Sequence, residues 1–490
     1  MLLRQKLLFG AAAMIAAASS VTAQDAPGIS SRTSPNAEDE SSAPEIEVQT
    51  LRERLTERED ETRLEDPWTI DVLGRPLVLG GQYEIAFETL SRVALGEGLN
   101  RSSELLLDQE IELEAFYTFD RTFSFFAQIR PGWEADLRSG SSDFFVERGE
   151  FWLYAQRIAG SGFSLDVGRL NFEDDRRWWW DEELDALRVT YEANNLELAL
   201  AAAHEVGPAR SDRSFVEPER ENIFRLIAEL SWDWRPEQSV QLFALYHYDH
   251  SRNGRRGEIV RRVREDESDS ELLWLGGRAA GALELSERGS LGYWFDAGAV
   301  VGRERLISTE GLSRDRREIT GVQSRHLKGV AFDAGVTWLM PARGEPRVTL
   351  GYALGSGDYR QTGLHGNEPG FGGVQSFNGY GRLLDPELAN ISILTAGVGC
   401  SLLKSSSLDL VFHDYRLLEH AGGLRDARID STLTGRSREV GQGADLVLAL
   451  EELRQMQLEL SVSAFRAGSA WGVDESEWVF GSFLAVRFAF

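Results

Sequence analysis

From Leu77 to the C-terminus, apolar and polar residues alternate with a period of two in about eighteen separate segments. The last segment carries the pattern to the chain end. Counting back by twos, Phe490, Phe488, Val486, Leu484, Ser482, Phe480 and Trp478 form one face. Ala489, Arg487, Ala485, Phe483 and Gly481 form the other. Successive side chains of a strand point to opposite sides, so this period predicts strands rather than helices. Ile111, Leu113 and Ala115 likewise oppose Glu110, Glu112 and Glu114. Phe224, Leu226, Ala228, Leu230 and Trp232 oppose Arg225, Glu229 and Asp233, and Met456, Leu458, Leu460 and Val462 oppose Gln457, Glu459, Ser461 and Ser463. The polar faces carry full charges, which a solid core would penalise heavily, so the interior is expected to hold water and the exterior to meet lipid.

The spacers sort by length. Short turns, such as Asp120-Arg121, Asn194-Asn195 and Arg235-Pro236-Glu237-Gln238, alternate with long loops expected at 206–221, 251–271, 304–325, 357–387 and 418–441. A soluble sandwich has no reason to sort its loops in this way. The predicted fold class is all-β: a transmembrane antiparallel β-barrel of about 18 strands over residues 71–490, each near the ~10 residues that a tilted membrane strand needs. Closure removes the edges such a sheet would otherwise present.

The N-terminus adds a compartment. Arg4 and Lys6, the apolar run Leu7–Ala18 and the small residues Val21-Thr22-Ala23 predict a cleaved signal peptide over 1–23, and hence export to the outer membrane of a Gram-negative cell. Residues 24–70, rich in Ser, Pro, Asp and Glu, read as a flexible acidic periplasmic leader. It is either a solvated tail or a docking arm. The net charge of −27, or −29 once Arg4 and Lys6 are removed, excludes nucleic acid as a partner. The lysines are Lys6, Lys328 and Lys404, and all other bases are Arg. The lone Cys400 is expected to be a small buried residue.

Strand parity points Arg130, Arg148, Arg188, Arg225 and Arg278 into the lumen. There they form either a basic track that attracts carboxylates, or braces paired with carboxylates such as Glu150, Glu229 and Asp166. Glu112, Glu114 and Glu459, with Glu110, offer an opposing acidic wall. Trp178-Trp179-Trp180, placed in a predicted extracellular loop, reads as part of an aromatic girdle or as a flat surface for sugar rings. Loop 357–387 is long enough to fold inward as a gate. His247-Tyr-Asp-His250 reads as interface residues rather than a metal site, and no Walker loop, HExxH or Gly-x-Ser-x-Gly motif occurs. No cofactor, metal or enzymatic chemistry is therefore predicted.

The stretch from Val167-Gly-Arg-Leu-Asn through Trp178-Trp-Trp to Tyr191 resembles the alginate export family of bacterial outer-membrane proteins. Glu150-Phe-Trp152, Leu291-Gly-Tyr-Trp294, Gln361-Thr-Gly-Leu364 and Tyr380-Gly-Arg-Leu-Leu-Asp-Pro-Glu-Leu-Ala-Asn390 fit as well, so the likeness spans Pro76 to Phe490. The resemblance implies an eighteen-stranded monomeric barrel seated in outer-membrane lipid. It implies passive export of an acidic polysaccharide chain, with a periplasmic tetratricopeptide-repeat scaffold as helper. The family's exporter lines its constriction with arginines. By the matched motifs, two of these positions fall on Glu368 and Glu459 and a third on Asn171, leaving Arg169 beside it. The cargo is then expected to be alginate or a related acidic polymer, and the lost arginines point to a less anionic one. The alternative is a selective porin for small charged solutes; an outer-membrane enzyme would need a clustered nucleophile and base.

Overall fold

The computed structural model describes residues 67–490 apart from 92–93, 96–102, 250–253, 267, 372–376, 454 and 473–476. The signal segment and most of the leader expected from the sequence lie outside the described residues. Among those residues, eighteen long strands follow one another around a single wall. They are β1 (Arg75–Ser91), β2 (Ser103–Thr118), β3 (Phe123–Asp136), β4 (Ser141–Ala155), β5 (Phe163–Glu173) and β6 (Asp181–Ala193). Next come β7 (Leu196–Ala203), β8 (Ile223–Arg235), β9 (Gln238–Asp249), β10 (Ser268–Glu284), β11 (Ser290–Gly311) and β12 (Arg316–Leu339). The ring ends with β13 (Arg347–Gly355), β14 (Ile391–Ser401), β15 (Ser406–Leu417), β16 (Glu439–Leu453), β17 (Met456–Ala467) and β18 (Trp478–Ala489). Each is antiparallel to its neighbours. β18 pairs back onto β1 from Gln82↔Ala489 to Ser91↔Phe480, so the sheet has no free edge. Phe490 continues the seam by exchanging both backbone hydrogen bonds with Gly81, at 2.9 and 3.1 Å. A short strand, Trp68–Val72, pairs with the start of β1.

The two-residue periodicity explains both surfaces. Leu242, Leu275, Val330, Leu350 and Val398 point outward and are each at least half exposed, as a lipid-facing wall requires. Their lumen-side neighbours Gln241, Arg278, Thr349 and Asp333 are buried. No helix among the described residues is long and apolar enough to cross a membrane. Local chemistry fixes the short turns. Asp120 accepts the amides of Thr122 at 2.7 Å and Phe123 at 2.9 Å, and these bonds hold its carboxyl below the usual range. Asn194 takes the left-handed conformation that a two-residue hairpin demands.

Two expectations need correction. The long loop expected at 304–325 is instead a continuation of β11 and β12, with only 312–315 between them. A 24-residue strand reaches about 80 Å, far beyond the ~25 Å apolar band of an outer-membrane barrel. The hairpin therefore stands beyond the lipid, and Ile307 and Ile319 are buried where Ile259–Arg261 pairs with the start of β12, so the alternation that marks a lipid-facing strand is lost there. Cys400 is not a core residue: it is half-buried and shares the outward parity of Val398.

Candidate functional site

The lumen is narrowed by two inward-folded segments. One is the β5–β6 loop carrying Trp178-Trp179-Trp180. These three rings are not in an aromatic girdle; they are buried inside the barrel. Trp179 stacks on Phe243 of β9 at 4.9 Å between centroids, and Trp178 Nε1 donates to Tyr380 at 2.8 Å. Room for them comes from missing side chains in the opposite wall. A Cβ at Gly298 would lie 3.0 Å from Trp179 and 3.1 Å from the Tyr359 hydroxyl, and Gly276, its register partner, also faces Trp179. The sequence signal was present but unread: lumen-parity glycines on β10 and β11, with Gly329 on β12, make a smooth wall where bulky rings must fit.

Asp174 anchors this loop. Its carboxylate accepts the amides of Trp179 at 2.8 Å, Trp180 at 2.9 Å and Arg176 at 3.1 Å, and it ion-pairs with Arg278 at 2.5 Å. Arg278 also meets Asp296 at 2.7 Å, and Arg176 bridges Asp296 and Asp333 at 3.1 and 3.0 Å. Two guanidinium groups thus hold three carboxylates in a paired, largely buried network, the condition under which buried charge is tolerated.

The second segment is the β13–β14 loop, residues 356–390. Tyr359, Leu364, Leu383, Leu384 and Leu388 are buried in it, so it does fold inward. It is tied to the first segment by Thr362 Oγ1 to the Trp179 carbonyl at 2.6 Å and by the Asp181 amide to the Leu364 carbonyl. Within it, the Gln361 amide donates to Glu387 at 2.7 Å, and Gln361 and Asn367 pair through their side-chain amides. Burial pushes the Asp385 carboxyl up to about 7, helped by the Glu368 carboxylate. The residue as a whole is half-buried, but its Oδ1 is shielded from solvent and has no hydrogen-bond partner.

Open space remains along β3–β8. A cavity of about 400 Å³ lies towards the long-loop side, where Arg130, Arg169, Arg177, Arg210, Arg213 and Arg220 mix with Glu147, Glu173, Asp181, Glu182, Glu183, Glu205 and Glu217. A second, of about 510 Å³, lies towards the short turns, with Arg188 facing Asp166, Glu173, Glu192, Glu197 and Glu229. Asn171 and Glu173 line both cavities, so the two meet at this pair. Asn171 Nδ2 donates to Glu173 at 3.0 Å, and Arg177 clamps the same carboxylate at 2.8 and 2.9 Å.

Several sequence-picked residues converge here. Arg130 meets Glu183 at 2.5 Å and Glu147 at 3.6 Å, Arg169 meets Glu183 and Glu205 at 3.2 and 3.3 Å, and Arg148 meets Asp185 at 2.9 Å. Gly168, at φ +140°, lets β5 press against the Phe151 carbonyl, which a side chain would obstruct, and so aims Arg169 inward. Arg188 meets Asp166 at 3.2 Å in the inner cavity. Other residues stand apart. Arg278 belongs to the loop anchor. Arg225 is buried beside His247, its register partner, with no hydrogen bond to Nε or Nη1. His247 thus points into the barrel rather than to an interface; His250 lies outside the described residues. Glu112 and Glu114 are buried on the lumen side of β2. Glu368 and Glu459 do not stand as bare carboxylates: Arg177 reaches Glu368 at 3.5 Å and Arg382 reaches Glu459 at 3.3 Å. Arg177 and Arg382 escaped the sequence reading because both come from loops, where strand parity gives no direction.

Residues 76–477 match the family described as Alginate export. The chain belongs to the alginate export family. Among curated relatives, alginate production protein AlgE of Pseudomonas aeruginosa is 28% identical over 341 residues, 67% of this chain and 68% of AlgE. AlgE of Pseudomonas syringae pv. tomato is 24% identical over 361 residues, 66% of this chain and 72% of that protein. Among solved structures, OccAB1 of Acinetobacter baumannii superposes with a TM-score of 0.53 at 12% identity, covering 84% of this chain and 96% of that one. At that identity the likeness speaks for the outer-membrane barrel fold alone. Family membership and closed barrel together make this alginate export family chain an outer-membrane channel protein of transporter type.

Proposed function

We propose that the protein is a passive channel that carries an acidic exopolysaccharide, alginate or a related polymer, across the outer membrane without doing chemistry on it. The observation that carries this reading is the pair of charged cavities that meet at Asn171 and Glu173. Dense alternation of Arg and carboxylate gives a polyhydroxylated chain many exchangeable hydrogen bonds and no single deep well, as conduction requires. Arg130, Arg148, Arg169 and Arg188, with Glu112, Glu114, Glu368 and Glu459, are the path residues of this proposal, and those paired with carboxylates hold the wall in shape until cargo competes for them. Arg225 and Arg278, also expected on the path, are buried away from the two cavities and brace the wall. The inner cavity, with Arg188 against five carboxylates, favours a cargo less densely anionic than a pure polyuronate. Residues 1–23 act in this reading as a cleaved signal, the barrel works as a monomer, and a periplasmic repeat scaffold delivers the chain.

A second reading, a selective porin for small charged solutes, is favoured by the two inward-folded segments, which narrow the lumen. Planar-bilayer conductance separates the two. Export predicts a small conductance that uronate oligomers block. A conductance indifferent to such oligomers would refute export and leave the porin.

A further inference from the structure

The outer wall carries one feature that the lumen reading does not use. On β10, β11 and β12 the outward residues Leu275, Val301 and Val330 are exposed and apolar, as lipid contact demands. Immediately towards the long-loop side the same face turns cationic. Lys328 is the register partner of Val301, and His326 is the partner of Arg303. Arg303, His326 and Lys328 are all exposed. Among the described residues none of the three has an ion pair or a side-chain hydrogen bond, whereas most arginines of the lumen are paired. Glu271, the carboxylate directly across from Arg303, accepts the Tyr246 hydroxyl at 3.0 Å. In a chain of net charge −27 with Lys328 as one of three lysines, an unpaired cationic trio on the outside of the barrel calls for an external anion.

The position names its chemistry. Long loops mark the outer side of such barrels, so the trio stands where outer-leaflet headgroups lie above the acyl chains. Arg offers a planar fork and Lys a point charge, the two side-chain forms that grip phosphate. We propose that Arg303, His326 and Lys328 form a docking site for a phosphorylated lipid of the outer leaflet, its acyl chains lying along Leu275, Val301 and Val330. Held there, the lipid seals the wall at the base of the β11–β12 hairpin.

The test uses the full-length protein purified in detergent and incubated with lipopolysaccharide, with retained lipid counted by native mass spectrometry. The double variant Arg303→Gln/Lys328→Gln should lose about tenfold or more in retention, and Arg303→Lys/Lys328→Arg should keep most of it. Heat-modifiable gel migration shows that each variant is a folded barrel. Dephosphorylated lipid should bind the native protein as weakly as the intact lipid binds the double variant. Unchanged retention in the double variant, or equal binding of the dephosphorylated lipid, would overturn the site. Displacement by inorganic phosphate at matched concentration would make it a bare anion site. Displacement by uronate oligomers would assign the trio to the exported chain, and either displacement defeats the lipid assignment.

Discussion

Asp174 is the residue whose removal tests the architecture of the lumen most directly. Asp174→Ala deletes three acceptor contacts to the amides of Arg176, Trp179 and Trp180 and one ion pair to Arg278. Stranding one partner of a buried pair costs about 3–5 kcal/mol. Arg278 retains Asp296 at 2.7 Å, which places the loss near the lower end. The barrel ladder does not depend on this loop, so the loss falls on local opening rather than on global unfolding. At about 1.4 kcal/mol per factor of ten, ~3 kcal/mol lowers protection of the loop amides roughly a hundredfold. Hydrogen exchange read by mass spectrometry over 174–180 measures it directly. Loop 356–390, held to this segment through Thr362, should gain exchange as well, while β14–β18 should not. Asp174→Asn keeps an acceptor but loses the charge, and should fall between. If protection at 174–180 stayed within about threefold of the native protein, or if the whole barrel loosened instead, the anchor would be misassigned.

Three further outcomes follow from the same geometry. The Asp385 carboxyl titrates at about 7, above its unfolded range, so the folded loop holds a proton that the unfolded chain releases. Its contribution is full below about pH 4 and is gone above about pH 7; once the intrinsic base catalysis of amide exchange is divided out, protection of loop 356–390 should fall between about pH 4 and pH 7, and Asp385→Asn should flatten that fall. Asn171→Arg at the meeting point of the two cavities adds a cation beside Glu173, and should shift the reversal potential in a salt gradient towards anions; an unchanged potential would take Asn171 off the conducting path. Leu350→Arg puts a charge on the lipid-facing wall and should cost about 2–4 kcal/mol near the bilayer midplane; Thr349→Arg faces the wet side and should disturb conductance before stability, with urea-unfolding midpoints in detergent separating the two.

Much of this protein was legible along the chain because a membrane barrel obeys a simple rule. Every strand has one greasy and one wet side, so parity alone put Arg225 inside and Phe224 outside, and Glu112 inside and Ile111 outside. The closing strand could be read from Phe490 backwards for the same reason. The rule fails wherever lipid is absent. Beyond the bilayer β11 and β12 meet water instead of lipid, and Ile307 and Ile319 are buried under a neighbouring loop segment, so residues 304–325 looked like a loop. Inside the barrel, three consecutive tryptophans looked like a girdle because nothing local distinguishes a ring facing lipid from one facing Phe243. Their burial depends on Gly276 and Gly298, a hundred residues away. The charge balance at Glu368 and Glu459 rests likewise on Arg177 and Arg382, which reach them from loops. The sequence by itself determined the wall, since each strand's partition between lipid and water is a local property. The filling of that wall was decided only by tertiary structure, because it depends on which distant surfaces leave room and which distant charges cancel.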